Sequence, residues 1–568
     1  MPISAAHARL DQPGGRFETG EETIRGVRLK VWKNAPQTLR DVFNATAQFK
    51  NETALVYEDE RISYGAFRTA VAALSRQLMQ DGVREGDRIA IAMRNLPEWP
   101  IAFWAAVLCG AIAVPLNAWW TGAELAPALQ DCGARILIAD GERLERLLPL
   151  IGQRDIRIYT ARATPPGASA TPLERIIGSP ANCHRLTEAV FPEAPLEPDG
   201  DATIFYTSGT TGSPKGVVSS HRNIIANIWN GANAEARGYL RAGQEPPCST
   251  DARRSAHLMT APFFHVIGCF ANMIPHMMEG SKIVLMRRWD ADSALPLIER
   301  ERINSIFGVP TIALQILQHP RIAEFDLTSL VSIGYGGAPA PVNLAEMIAS
   351  ALPHVRVTQG WGMTETSGTA ITNPDLDYQR KPESCGVPSM TGEVKITDAH
   401  GQALPRGDIG ELWYKGSIVA RGYWNKPQET AVTFIDGWVR TGDVARLDEE
   451  GFVYIVDRLK DVVIRGGENI YCIEIENALY AHPAVDEAAV IGIAHPTLGE
   501  EPAAIIHLKT GAKLSEDDLR AHLAPRLAAY KTPSRFVILT EPLPRGPAGK
   551  ILKNELKAML AEAQSKER

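Results

Sequence analysis

The sequence predicts an α/β protein of two unequal parts. A large N-terminal domain of helix-covered mixed sheets ends in a small β-barrel-like unit, and a smaller α+β C-terminal domain follows. Short Val- and Ile-rich runs alternate with helical stretches through the first part, the pattern of sheets covered by helices. Short strands with Gly and Trp turns cluster just before residue 457, and the composition shifts there to a helix-and-strand unit with its own apolar stripe. At 568 residues, 45% hydrophobic and 22% charged, the chain is long enough for several globular units.

The elements follow in order. The opening MPISAAHARLDQPGGRFETG lacks a basic start and an apolar core, so no signal peptide is expected. Residues 64–81 and 123–131 read as helices, and 88–93 (RIAIAM), 134–139 (ARILIA) and 282–286 (KIVLM) as strands. The apolar run 101–116 (IAFWAAVLCGAIAVPL) holds Gly110 and Pro115 and falls short of the roughly twenty residues a membrane helix needs. It reads as a buried helix, a glycine turn and a buried strand, with peripheral membrane contact left open. Residues 161–200, rich in Pro, Gly and Ser, read as a long connection. Residues 409–414 and 438–447 supply the strands of the β-rich unit. Beyond it, 473–480 reads as helix and 488–493 as strand. Ser515 caps a helix in which Asp518 completes a capping box and Leu519, Leu523 and Leu527 share a stripe.

A net charge of −7 without a basic block argues against nucleic acid as a partner. The seven cysteines (Cys109, Cys132, Cys183, Cys248, Cys269, Cys385, Cys472) are scattered without C-x-x-C spacing, as reduced thiols of a cytoplasmic protein would be.

The most informative segment is YTSGTTGSPKG, from Tyr206 to Gly216. Gly209 and Gly212 let backbone approach phosphate oxygens, while the hydroxyls of Thr207, Ser208, Thr210 and Thr211 and the charge of Lys215 supply donors. Such a loop suits a triphosphate. It is not a P-loop, because Pro214 rather than glycine precedes Lys215.

This run resembles the phosphate loop of the adenylate-forming superfamily, which includes acyl- and aryl-CoA synthetases, luciferases and peptide-synthetase adenylation domains. Further motifs stand in the family's order at 359–366 (QGWGMTET), 440–445, 457–470 (DRLKDVVIRGGENI) and 544–550 (PRGPAGK), so the resemblance covers nearly the whole chain. It implies an AMP-binding domain over 1–456, a hinge over 457–461 and a mobile C-terminal domain over 462–568.

The resemblance also assigns roles. Trp361, flanked by Gly360 and Gly362 and standing where tyrosine is commoner, packs on adenine; Thr364 meets the α-phosphate, and Glu365 helps to hold Mg²⁺, a hard cation bound mainly by phosphates and water. Gly336, Gly337 and Ala338 lie beneath the adenine. Asp443 of the TGD run accepts the ribose hydroxyls, and Arg458 contacts ribose or phosphate. Lys460 is the hinge, and Gly466 and Gly467 line the path of the coenzyme A arm. Lys550 bridges the carboxylate and the α-phosphate, though Gly546 and Pro547 replace the more usual neighbours.

His265, within Phe263, Phe264, His265 and Val266, is read as a gate beside the reacting carboxylate; amino-acid-activating relatives place an aspartate in this neighbourhood, and none stands here. The acid pocket is expected along 266–269, 307–311, 335–338 and 361–363. The implied activity is an ATP-, Mg²⁺- and coenzyme A-dependent acid–CoA ligase, with medium- or long-chain fatty acids leading and aryl or sterol-side-chain acids behind. A carrier-loading acyl-AMP ligase and a non-catalytic nucleotide-binding scaffold are the alternatives, and both a monomer and a homodimer stay open.

Overall fold

The computed structural model describes all residues except 152–154, 164–169, 179–190, 192–193, 208–213, 248–254, 339, 341–343, 547–548 and 568, and it describes 563–567 by backbone alone. Ser208, Gly209, Thr210, Thr211 and Gly212, together with Cys183, Cys248 and Pro547, therefore lie outside the described residues.

Two large mixed sheets form the N-terminal part. In the eight-stranded sheet, Arg88–Ala92 lies between Ile112–Pro115 and Ile136–Asp140, parallel to both. One side continues through Asp201–Thr207 into the antiparallel strands Lys215–Ser220 and Gly422–Tyr423. The nine-stranded sheet has a parallel centre that includes Ser305–Gly308, Ser332–Gly336 and Arg356–Met363, and antiparallel edges. The predicted strands and helices of this region form, with ends shifted by at most two residues for 134–139.

Every residue of the helix Glu98–Leu108 is buried, as a helix apolar on all sides must be. Gly110 turns the chain at φ +76° into the buried strand Ile112–Pro115, so the apolar run belongs to the core. No helix among the described residues is long and apolar enough to cross a membrane. Trp99 stacks on Phe103 and on Phe263, with centroids 5.6 and 5.0 Å apart. Asn95 donates to the Ala261 carbonyl at 3.0 Å and accepts from the Phe263 N–H at 2.9 Å, which ties the His265 loop to the end of the strand Arg88–Ala92. The stretch 161–200, expected as plain connection, contributes the short strand Thr171–Pro172 and the helix Glu174–Ile177 to the described structure.

The β-rich unit is a five-stranded antiparallel sheet whose strands Gly410–Gly416, Trp438–Leu447 and Val453–Arg458 bring Asp443 opposite Arg458. The C-terminal part has a further five-stranded sheet and two apolar clusters of its own, one around Val490, Leu519 and Leu523 and one around Ile491, Leu556 and Leu560. Each such buried aliphatic side chain contributes about 1.5–3 kcal/mol. Ser515 and Asp518 form the expected capping box, but the helix ends at Leu523. Leu527 is buried beyond that end, so the stripe continues as packing and not as helix.

Candidate active site

The hairpin that carries the phosphate-loop motif has a well-defined stem. Thr207 pairs with Lys215 across antiparallel strands, and its hydroxyl lies 3.5 Å from the Lys215 carbonyl. The Lys215 ammonium sits 5.1 Å from the ring centroid of Tyr423, whose strand pairs with the next part of the same hairpin. The Tyr423 hydroxyl in turn donates to Glu365 Oε1 at 2.8 Å. This relay from the loop lysine to the carboxylate was missed in the sequence, where Tyr423 lies far from both partners and carries no motif of its own.

Glu365 belongs to the 3₁₀ turn Thr364–Thr366 and is buried, which pushes its carboxyl up, while Tyr423, Arg458 and Lys215 pull it down. One of its oxygens takes the tyrosine hydroxyl, and nearby Lys215 and Arg458 make no ion pair with it among the described residues. A buried carboxylate at that point fits a divalent cation that is otherwise held by phosphate oxygens and water. No cluster of three or more His, Cys, Asp or Glu that could hold a metal ion forms among the described residues.

Asp443, Trp361 and Arg458 make a second group. The Trp361 indole donates to Asp443 Oδ2 at 2.8 Å, and the Arg458 guanidinium meets Oδ1 at 2.5 Å. Burial pushes the Asp443 carboxyl up, and Arg458 and Trp361 pull it back.

Gly336 lies in register with Gly360, and a Cβ on it would stand 2.3 Å from the Gly360 carbonyl oxygen; only glycine allows these two strands to approach. Gly337, at φ +77°, leaves space that a Cβ would fill 2.9 Å from Ile267 and 3.8 Å from Lys550 Cε. Ala338 follows in the same half-buried turn, and Gly362 closes on Gly368 across the antiparallel edge.

Lys550 thus enters this cleft from the C-terminal part. Its loop is braced by the Gly546 N–H to the Lys550 carbonyl (2.8 Å) and by Arg545, which donates to the Gly549 carbonyl (2.6 Å) and pairs with Glu487 (2.7 Å). Burial and the charge of Arg458 lower Lys550 to about 8, while Asp443 and Glu365 oppose that shift and Lys460 adds to it. The half-buried His265 accepts the Ile267 N–H at Nδ1 (3.4 Å); burial and the charge of Lys550 lower it to about 4, so the imidazole is neutral.

A cavity of about 370 Å³ opens beside His265 and Gly549. Ile267, Gly308, Val309 and Thr311 form part of its wall, as expected for 266–269 and 307–311, and Ile312 extends it by one residue. Residues 335–338 and 361–363 do not line it. Gly337 lies beside Lys550 and Trp361 bonds Asp443, while Tyr335 is buried against Tyr378. Arg94 and Trp119, which the sequence did not single out, do line it.

The remaining expected residues stand apart. Lys460 is exposed in the turn after Arg458. Gly466 (φ +60°) and Gly467 (φ +91°) form the exposed tip of the hairpin between Val463–Arg465 and Glu468–Ile470, and a Cβ on Gly467 would meet nothing within 4 Å.

Residues 42–424 match the AMP-binding enzyme family, and 474–550 match the AMP-binding enzyme C-terminal domain. The chain is 35% identical over 505 residues to a feruloyl-CoA synthase of an Amycolatopsis species, covering 89% of this chain and 95% of that protein. It is 31% identical to a long-chain-fatty-acid–CoA ligase of Bacillus subtilis, with 92% and 94% covered. Among solved structures, o-succinylbenzoate CoA synthetase (MenE) of Bacillus subtilis in complex with its acyl-adenylate intermediate superposes with a TM-score of 0.75 at 31% identity, covering 91% of this chain and 97% of that one. The same enzyme has also been solved with ATP and magnesium ion.

Proposed function

The chain belongs to the AMP-binding enzyme family, and from that premise we propose that it is an AMP-forming acid–coenzyme A ligase. A carboxylate oxygen attacks the α-phosphorus of ATP and pyrophosphate leaves; the coenzyme A thiol then attacks the acyl carbonyl and AMP leaves. The observation that carries this reading is the position of Lys550, delivered by the C-terminal part against Gly337 and within the fields of Glu365 and Asp443. There its ammonium faces the charge that develops between carboxylate and phosphate, where a fixed donor contributes most.

The other roles follow the same reading. Lys215 and Thr207, with the loop 208–212, hold the phosphates, and Thr364 faces the α-phosphate. Glu365 holds Mg²⁺, which neutralises phosphate charge. Asp443 and Arg458 receive the ribose, with Trp361 and the turn Gly336–Ala338 about the adenine. His265, being neutral, leaves the acid's negative charge to Lys550. Exposure of Lys460 and of the Gly466–Gly467 tip supports a division at 1–456, 457–461 and 462–568, in which rotation at Lys460 exchanges the Lys550 face for the glycine face in the thioester step.

The cavity volume lies near the lower end of the range of about 300–1,000 Å³ usual for ligand pockets, which supports a medium-chain or single-ring acid over a fully enclosed long chain. The test is an assay of AMP and thioester formation over straight-chain, branched and aryl acids, with free coenzyme A and with a carrier protein as acceptor. Thioester on coenzyme A is the expected result. Thioester on the carrier alone assigns the carrier-loading reaction instead, and no ATP turnover with any acid leaves a nucleotide-binding scaffold.

A further inference from the structure

We propose that the wall of the acid cavity holds an anion-reading subsite centred on Arg94, and that the acid taken carries a second carboxylate there. This names the substrate class of the ligase reading above and rests on it.

Arg94 follows the strand Arg88–Ala92 and is held by its backbone, whose N–H donates to Asp140 Oδ2 at 3.0 Å. Its guanidinium carbon stacks 4.7 Å from the ring centroid of Trp119, and both residues line the cavity. Among the described residues the half-buried Arg94 side chain makes no ion pair or hydrogen bond.

The nearby carboxylates are committed elsewhere. Asp140 gives both oxygens to Arg143 at 2.9 and 2.8 Å, and Glu142 is shared by Arg143, Arg146 and Arg287. Asp290, also on the wall, caps the helix Ala291–Glu301 through Ser293. The exposed Arg288 adds positive charge to the same wall, where Arg287 is already paired with Glu142. Burial lowers Arg94 to about 10, with Arg143 and Arg287 adding to the shift and Glu142 and Asp140 opposing it; it stays a cation at neutral pH, in a place that a matching anion would relieve.

Phe264, Ile267, Met286 and Ile312 add apolar surface to the same cavity. A guanidinium with no anion of its own and apolar surface in one cavity suit an α,ω-diacid: one carboxylate reacts beside Lys550 while the other meets the guanidinium, whose N–H edge matches it in pairs.

The experiment compares kcat/KM for a series of α,ω-alkanedioic acids with their monomethyl esters and with parent monoacids, in wild type, Arg94→Met and Arg94→Lys. For the best-fitting length, wild type is expected to prefer the diacid to its monoester by roughly 10- to 100-fold, the worth of a charged hydrogen-bonded pair. That ratio falls to near one in Arg94→Met through KM for the acid, and Arg94→Lys keeps part of it. Melting temperatures check that both variants fold, and the wild-type ratio and the lysine variant still decide the question if Arg94→Met does not. A wild-type preference for monoacids, monoesters or a phenolic arylpropenoic acid overturns the diacid assignment and leaves the ligase reading intact. So does a diacid preference that survives in Arg94→Met. Failure of every acid to support ATP turnover overturns both.

Discussion

Two turns of the C-terminal part carry left-handed glycines for different physical reasons. Gly549, at φ +76°, precedes Lys550, and a Cβ on it would stand 2.6 Å from Val309 Cγ2 in the opposite domain. Gly467, at φ +91°, has open space around it. The first glycine serves the contact between domains as well as the turn; the second, in this orientation, serves only its own backbone. The first turn is shaped against the surface it touches, and the second meets none within 4 Å of a Cβ on Gly467.

Removing what the docked turn delivers has the largest expected effect. Lys550→Ala lowers pyrophosphate exchange by about 10²- to 10³-fold, as loss of one oriented donor does. Thioester formation from supplied acyl-adenylate is largely spared. Equal loss in both half-reactions would break the contrast between the two turns.

The glycines themselves sharpen it. Gly549→Ala is expected to reduce pyrophosphate exchange roughly 10- to 100-fold, since a displaced loop misplaces the ammonium, and Val309→Ala in the same chain restores part of the loss. Gly467→Ala pays about 1–2 kcal/mol for its left-handed backbone but leaves pyrophosphate exchange in place and slows the thioester step. If Gly467→Ala instead damaged exchange as much as Gly549→Ala, the exposed tip would have a place in the adenylating cleft.

The smallest effect is a pH limb. Lys550 loses its proton near pH 8 in the ligand-free cleft, so kcat/KM for ATP falls as pH rises through that value. The negative charge of bound ATP favours the ammonium and moves the limb in kcat to higher pH. Lys550→Arg keeps its charge and abolishes the limb, whatever its absolute rate.

Much of the fold was legible because apolar runs report burial directly: 88–93 and 282–286 form strands, and 101–116 divides at Gly110 as its composition implies. Leu527 marks the limit of that reasoning, since it is buried with Leu523 although the helix between them has ended. The phosphate hairpin, Glu365 and Lys550 were legible as motifs. Tyr423 against Glu365, Val309 against Gly549 and Arg94 on Trp119 were not, because each is a contact between distant segments whose residue types have many other uses.

The bonds that Asp443 makes with Trp361 and Arg458 change what nucleotide binding means here. Each carboxylate oxygen already has one donor and keeps a lone pair besides. On the reading proposed above, a ribose hydroxyl would join a carboxylate that is already partly satisfied, or displace one of its donors. Affinity for the sugar would then be smaller than the new bonds alone suggest. Where a donor is displaced, the guanidinium freed would be that of Arg458, two residues before the exposed Lys460. On that reading, the occupancy of the ribose site and the setting of the hinge would be linked through one carboxylate.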